Sequence, residues 1–254
     1  MFTMGMVGNK IAYKTFENYL KVFVPLALTS VALSLAFKMR FWNIGGEGQF
    51  ILGAIAAATV AFKLGSALPA PLTLILMCLA AMLAAGLYGA LVAVLKVKFG
   101  TNETLMTLML NYIVMYLIKF VLNTYLADKS KGQIKSYEFL ESAKIAQLVD
   151  DGSKLSVGFL IAIAAVILCG LFMYRTRWGY AIRMIGINQA FSKYSGMKVG
   201  TIIVVSQLLG GFLAGVGGGI EMLGRYKTFS WSSLPGYGWT GITIAILAGN
   251  NPWF

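Results

Sequence analysis

The chain has 254 residues, of which 58% are apolar and 12% charged, where ordinary globular domains carry roughly a quarter charged residues. That balance excludes a soluble domain and points to a polytopic membrane protein. The formal net charge of +12 would suggest nucleic acid in a soluble protein, but the 21 Lys and Arg stand mainly at the ends of apolar runs. There they mark membrane interfaces and anionic head groups, so membrane lipid is an expected partner and nucleic acid is not.

The two cysteines, Cys78 and Cys169, each sit in an apolar run, and there is no histidine. A disulfide framework and a zinc or haem site therefore have almost nothing to be built from. Lys10 and Lys14 are not followed by a short apolar core with a small-residue cleavage site, so no cleavable signal peptide is expected.

A membrane-spanning helix takes about 20 mostly apolar residues. The first candidate runs from about Asn18 to Phe37 and is stopped by Lys38 and Arg40. The second, about Asn43 to Phe62, opens on the glycine-rich NIGGEGQ, and only Phe50 to Phe62 is purely apolar. That length suits a buried or partly re-entrant segment as well as a span. Pro69 and Pro71 mark a turn, and Leu72 to Leu95 is an uncharged helix ending at Lys96 and Lys98. After Gly100 and Thr101 the next helix runs from near Asn102 to about Leu126, interrupted by Lys119. Residues 128–154, with five acids against five lysines, form the extended polar loop. Leu155 to Tyr174 and Val199 to Ile220 are uncharged spans on either side of a basic handle, 175–200. Arg225 and Lys227 then precede FSWSSLPGYGW and an apolar segment running to Phe254. The expected fold is an all-α bundle of six to seven transmembrane segments, a single membrane domain over residues 1–254.

The handle carries Arg175, Arg177, Arg183, Lys193 and Lys198 and no acid. The positive-inside rule weighs such short connections most heavily and places it in the cytoplasm, with loop 128–154 outside. The start of the chain then falls outside too. Together with the abrupt end, this suggests that helices are lacking at both ends. Small residues recur at every fourth position: Gly53, Ala57, Ala61; Ala81, Ala85, Gly89, Ala93; and Gly211, Gly215, Gly219. That spacing lets helix backbones approach closely.

Polar groups inside a membrane helix are costly, so each is a candidate for function. Glu47 and Gln49 either line a polar pathway or, for Glu47, complement the amide dipoles of a helix first turn. Thr104, Thr107 and Asn111 share one helix face, and Asn111 lies roughly 13 Å from the helix start. They serve a solvated cavity or an interhelical hydrogen bond, as do Ser206 and Gln207. Asn102 or Thr101 is placed to cap the helix that Glu103 enters. Glu221 and Arg225 read as an external ion pair, and Phe229, Trp231, Tyr237 and Trp239 as an interfacial aromatic belt or a stacking platform. Asn188 or Ser192 could cap short helices within the handle. No G-x-x-x-x-G-K-[ST] occurs, so ATP phosphates have no P-loop here, and without histidine an embedded enzyme is disfavoured.

Gly179-Tyr-Ala-Ile-Arg-Met-Ile-Gly-Ile-Asn188 and Ser195-Gly-Met-Lys-Val199 resemble the cytoplasmic coupling segment of ABC-importer permeases of the branched-chain amino acid, ribose and nucleoside group. Phe41 to Gln49, FWNIGGEGQ, looks like the "FNIG-EGQ" motif of the nucleoside branch, guanosine-type permeases included. TLMTLMLNYI from Thr104 and AILAGNN from Ala245 resemble "TIMMNYI" and "ALLGGN" there. The resemblance covers the chain from about residue 16. Such permeases carry a further N-terminal helix and about three more C-terminal ones, so this sequence looks truncated against them.

The resemblance implies a non-enzymatic permease subunit importing nucleosides across a bacterial cell membrane, with no cofactor of its own. ATP and magnesium would sit on a cytoplasmic ATPase, and a homologous second permease and an extracytoplasmic substrate-binding lipoprotein would complete the assembly. Asn43, Glu47, Gln49, Thr107, Asn111 and Gln207 are then the expected substrate pathway. Gly186, Asn188, Ala190, Tyr194 and Gly196 are the expected ATPase-coupling residues, with 186–196 as the docking helix and the arginines as membrane-edge anchors. The alternatives are sugar or branched-chain amino acid cargo, a gradient-driven secondary transporter, and a structural membrane subunit. A secondary transporter should show inverted repeats or a deep ionisable residue; Lys119 is the one charge in a helix interior, and no repeat is evident.

Overall fold

The computed structural model describes residues 10–128, 135–140, 143–148, 155–231 and 233–253, with side chains from Phe16 onward. Much of the expected loop 128–154 lies outside the described residues. The apolar runs fold as helices because hydrocarbon offers backbone amides no water, and a helix satisfies them internally. In chain order these are α1 (Lys10–Lys38), α2 (Gly46–Leu64), α3 (Ala70–Phe99) and α4 (Glu103–Val121), the last continued by one π-helical turn, Leu122–Leu126. Then come α5 (Gly158–Arg175), α6 (Arg177–Ile187), α7 (Gln189–Tyr194), α8 (Val199–Arg225) and α9 (Tyr237–Leu247). Among the described residues six helices, α1 to α5 and α8, are long and apolar enough to cross a membrane.

Local chemistry sets the boundaries. Gly100, at φ +65°, ends α3 in the left-handed conformation. Asn102 Oδ1 accepts from the amides of Thr104 and Leu105 and starts α4. Glu103 pairs across this turn with Lys96 at 2.6 Å. The second segment is a complete helix of 19 residues, α2, rather than a re-entrant one.

The core is a three-helix seam in which α8 packs between α2 and α3. A β-carbon on Gly53 would overlap the backbone of Gly215, and one on Gly215 would overlap the Ala81 carbonyl. The small-residue faces of all three helices meet here, where burial alone gives little drive in lipid and close van der Waals packing supplies it. The outer faces are the reverse. Leu79, Leu83, Leu87 and Leu91 of α3 and Met109, Ile113, Tyr116 and Phe120 of α4 all point away from the protein. Such continuous apolar flanks suit lipid and would aggregate in water; the protein is a multi-pass membrane protein.

The chain does something different after α8. Residues 226–231 pack against the bundle, where Phe229 is fully buried and Trp231 stacks on Phe50 of α2, ring centres 5.7 Å apart. Ser136, next to the loop, accepts from the Phe229 amide. The aromatic cluster is therefore packed within the protein, not spread as an interfacial belt, although Trp239 stays partly exposed. α9, at 11 residues, is about 16 Å long, half of a span. Its start packs on Thr29, whose hydroxyl donates to the Pro25 carbonyl at 2.7 Å and stands 3.4 Å from the Tyr237 carbonyl. Thr29 stands about 13 Å along α1 from Lys38. Beyond the far end of α9, Lys38 Nζ reaches the Gly249 carbonyl at 3.5 Å. α9 is thus a half-helix that begins inside the bundle and runs to the side where the handle lies.

Candidate functional site

Between α1 and α2 the backbone from Arg40 to Gly45 is not helical, and it turns into the protein. Non-helical backbone at membrane depth needs hydrogen-bond partners from protein, and two polar residues of α4 provide them. Thr107 Oγ1 accepts from the Ile44 amide at 3.1 Å while donating to the Glu103 carbonyl. Asn111 Nδ2 donates to the Ile44 carbonyl at 2.9 Å, and its Oδ1 accepts from the Gly48 amide at 2.9 Å. Asn111 therefore caps α2 from a neighbouring helix, since Gly45 has no side chain to do so. Tyr88 of α3, buried, adds a long hydrogen bond to the same Oδ1 at 3.5 Å. Thr104, on the same face, is only half-buried and stays outside this arrangement.

Asn43 fastens the turn to α8. Its Oδ1 accepts from the Gly45 amide at 2.8 Å, and its Nδ2 donates to Gln207 Oε1 at 3.0 Å. Ser206 beside it reaches the Leu35 carbonyl at 3.5 Å. Glu47, fully buried in the first turn of α2, points at a different helix. Its Oε1 accepts from the Gly236 amide at 2.6 Å and its Oε2 from the Gly238 amide. The carboxylate thus lies against the positive ends of two helices, α2 and α9, whose amide dipoles offset the cost of a buried charge. The first-turn reading of Glu47 is right in placement, but its partners lie across the bundle.

The six positions Asn43, Glu47, Gln49, Thr107, Asn111 and Gln207 come together here, none more than 4% exposed. Their hydrogen bonding is uneven. Asn43, Thr107, Asn111 and Glu47 are bonded, whereas both amide atoms of Gln49 and the Nε2 of Gln207 have no partner among the described residues. Gly89 leaves room for α8 and for Gln49: a β-carbon there would overlap the backbone carbonyl of Gln207 and stand 3.0 Å from Gln49 Nε2. Sequence reasoning missed Tyr88, hidden in an apolar run, and the Gly236–Gly238 amides, for which the only signal was the PGYG stretch before an apolar segment.

Above this cluster, Arg225 donates to Glu221 at 2.9 Å and to the Tyr237 hydroxyl at 3.2 Å, and Tyr237 donates to Glu221 at 3.0 Å. Glu221 is 4% exposed while the Arg225 side chain is 33% exposed, so this is a half-buried triad tying α8 to α9, its carboxylate inward, and not the open surface pair expected.

The handle folds as two short helices. Thr176 caps α6 by accepting from the Gly179 amide, and Asn188 caps α7 by accepting from the Phe191 amide at 3.0 Å. Ser192 is not a cap; its hydroxyl donates to the Asn188 carbonyl. Arg183 lies over the Tyr174 ring at 5.0 Å. Of the coupling candidates, Asn188, Ala190, Tyr194 and Gly196 are exposed, while Gly186 is buried. A β-carbon on Gly186 would overlap the Lys38 carbonyl, so this buried glycine packs α6 on the end of α1. Trp178 and Tyr180 are exposed on α6, and around α7 the exposed apolar side chains are Ile187, Phe191 and Tyr194, the last 93% exposed.

Residues 15–253 match the family model described as branched-chain amino acid transport system / permease component. The chain is 32% identical over 229 residues to the guanosine ABC transporter permease protein NupP of Bacillus subtilis, covering 89% of this chain and 65% of that one. It is 34% identical over 237 residues to the glucose ABC transporter permease protein TsgB13 of Haloferax volcanii, covering 90% and 62%. It is 29% identical over 247 residues to the nucleoside ABC transporter permease protein NupB of Lactococcus lactis, covering 94% and 68%. The chain thus spans roughly two thirds of the length of these relatives. No solved structure matches it.

Proposed function

The chain belongs to the branched-chain amino acid transport system / permease component family, and from that premise we propose that it is a membrane subunit of an ATP-driven importer whose cargo is a nucleoside. The observation that carries this reading is the buried polar cluster at the start of α2, set beside a half-helix. Four of the six side chains are taken up in holding backbone, but Gln49 and Gln207 keep buried amide atoms without partners among the described residues, which a bundle that only packed would have no use for at that depth. The names of the guanosine and nucleoside permeases among its relatives favour the cargo.

In this reading a cytoplasmic ATPase, which binds ATP and magnesium, grips the exposed face formed by Ile187, Phe191 and Tyr194. Closure of the ATPase pair pulls α7 and α6. Gly186 passes the movement to Lys38 at the end of α1, and the turn from Arg40 to Gly45 carries it into the cluster. Asn43 ties the turn before α2 to α8 and Glu47 ties α2 to the start of α9, so their bonds to Gln207 and to the Gly236 and Gly238 amides differ between the two states of the pathway. ATP favours one state by binding it more tightly. A second permease and an external binding protein complete the assembly. A sugar is the second cargo considered, because the glucose permease relative is as similar as the nucleoside ones.

The test is uptake of labelled guanosine and glucose by cells that lack their own carriers and express this gene with its neighbours. Guanosine uptake should appear and should be lost in a Tyr194→Ala variant that still reaches the membrane. Uptake that continues without a P-loop ATPase and collapses with a proton uncoupler would sink the ATP-driven reading. Glucose uptake alone would overturn the cargo.

A further inference from the structure

A groove of about 780 Å³ opens at the handle side of the bundle, between the end of α3, the start of α8 and one face of α7. It is independent of the polar cluster. Its walls are apolar, with Val94 and Val97 from α3 and Ile203, Val204 and Val205 from α8. Its mouth is basic: Lys96, Lys98, Lys193 and Lys198 all line it. Glu103 pairs with Lys96 at 2.6 Å. Lys98, Lys193 and Lys198 are exposed and make no ion pair among the described residues.

The groove and the coupling surface use opposite sides of α7. At about 100° per residue, Phe191 and Tyr194 share one face, while Gln189 and Lys193, which line the groove, share the other. A protein seated on the aromatic face therefore leaves the basic face free. α3 and α8 are long and apolar enough to span, and the groove lies at the ends of both that carry Lys96, Lys98 and Lys198, the kind of basic residues that mark a membrane interface, so its apolar walls lead toward lipid.

We propose that this groove is a binding site for one anionic phospholipid, with the phosphate held by Lys98, Lys193 and Lys198 and an acyl chain lying on the valine and isoleucine walls. Charge complementarity selects the occupant. Three unpaired ammonium groups at a membrane edge attract an anionic head group, each worth about fivefold in affinity, and a purely soluble anion would leave the apolar walls without a partner. A lipid seated here touches α7 directly, so lipid composition would tune the position of the handle.

The test uses purified full-length chain in neutral detergent and a tail-labelled phosphatidylglycerol, read by fluorescence anisotropy, with tail-labelled phosphatidylcholine in parallel. Phosphatidylglycerol should bind at least about fivefold more tightly. A Lys98→Gln/Lys198→Gln variant should lose that preference, about tenfold or more in affinity, whereas Lys63→Gln/Lys227→Gln, the same charge loss elsewhere, should keep it. On the unaltered chain, added salt should weaken phosphatidylglycerol binding and spare phosphatidylcholine. Equal binding of the two lipids, an unchanged double variant, or salt-insensitive binding would overturn the proposal. So would displacement by glycerol phosphate at the concentration at which unlabelled phosphatidylglycerol competes, since that would make the site one for a soluble anion.

Discussion

Asn111 and Gln49 are both buried amides in one cluster, yet they stand differently towards their surroundings. Asn111 spends its donor on the Ile44 carbonyl and its acceptor on the Gly48 amide. Asn111→Ala strands both backbone groups in a dry interior at about 1–3 kcal/mol each. Its unfolding midpoint in detergent should fall, corresponding to a loss of about 2–6 kcal/mol in all. Gln49 has no such bonds. Gln49→Leu removes polar atoms that already lack protein partners, so stability should change by less than about 1 kcal/mol or rise, while transport falls. A stability loss as large as that of Asn111→Ala would show that Gln49 is structural. Glu47→Gln keeps one acceptor for two α9 amides, at Gly236 and Gly238. Transport should drop more than stability, and Glu47→Ala should lower both. The depth of Asn111 was readable from its helical spacing. Its partners were not, because a period says which face a side chain occupies and nothing about which backbone groups lie opposite.

At the level of helices, the seam of α2, α3 and α8 rests on backbone contact. Gly215→Leu has no room to relax, since the Ala81 carbonyl and the Ala85 β-carbon of α3, neither of which can swing aside, meet it. The variant should fail to accumulate as folded protein, a loss beyond about 3 kcal/mol, checked by monodispersity on gel filtration. The handle gives a sharper contrast. Gly186→Val presses on the Lys38 carbonyl and should destabilise the α1–α6 joint. Tyr194→Ala, at a side chain that is 93% exposed, should leave the melting temperature within about 1 °C, as surface changes do, yet abolish co-purification of the ATPase. Reading Gly186 and Tyr194 as one docking surface followed from their closeness in sequence. The fold separates them because α6 ends at Ile187 and turns its small-residue face onto α1. α9 shows the same gap between pattern and place: eleven apolar residues look like part of a span, and only the bonds of Glu47 reveal that its first turn is anchored inside the bundle.

For the whole molecule, the arrangement of spans predicts a labelling pattern. Ala190→Cys, introduced into a chain with Cys78 and Cys169 replaced by Ala, should react with a membrane-impermeant maleimide only after the cells are opened. Glu138→Cys, on the far side of α4, should react in intact cells. The reverse pattern would invert the topology and with it the side from which an ATPase could reach α7. The two native cysteines lie in α3 and α5 within the bundle and should resist the reagent in both conditions.

The sequence by itself determined the membrane class, the number and order of the long helices, the small-residue faces and the identity of the six polar positions. These depend on composition and on the 3.6-residue period, which each segment carries alone. The tertiary structure alone decided that Glu47 caps α9, that Asn111 caps α2, that Glu221, with Arg225 and Tyr237, ties α8 to α9, and that Gly186 is a joint. Apart from the Glu221–Arg225 pair, four residues apart on α8, each of those rests on a bond or contact between different elements. Its partner is chosen by how helices pack, and no local pattern encodes that choice.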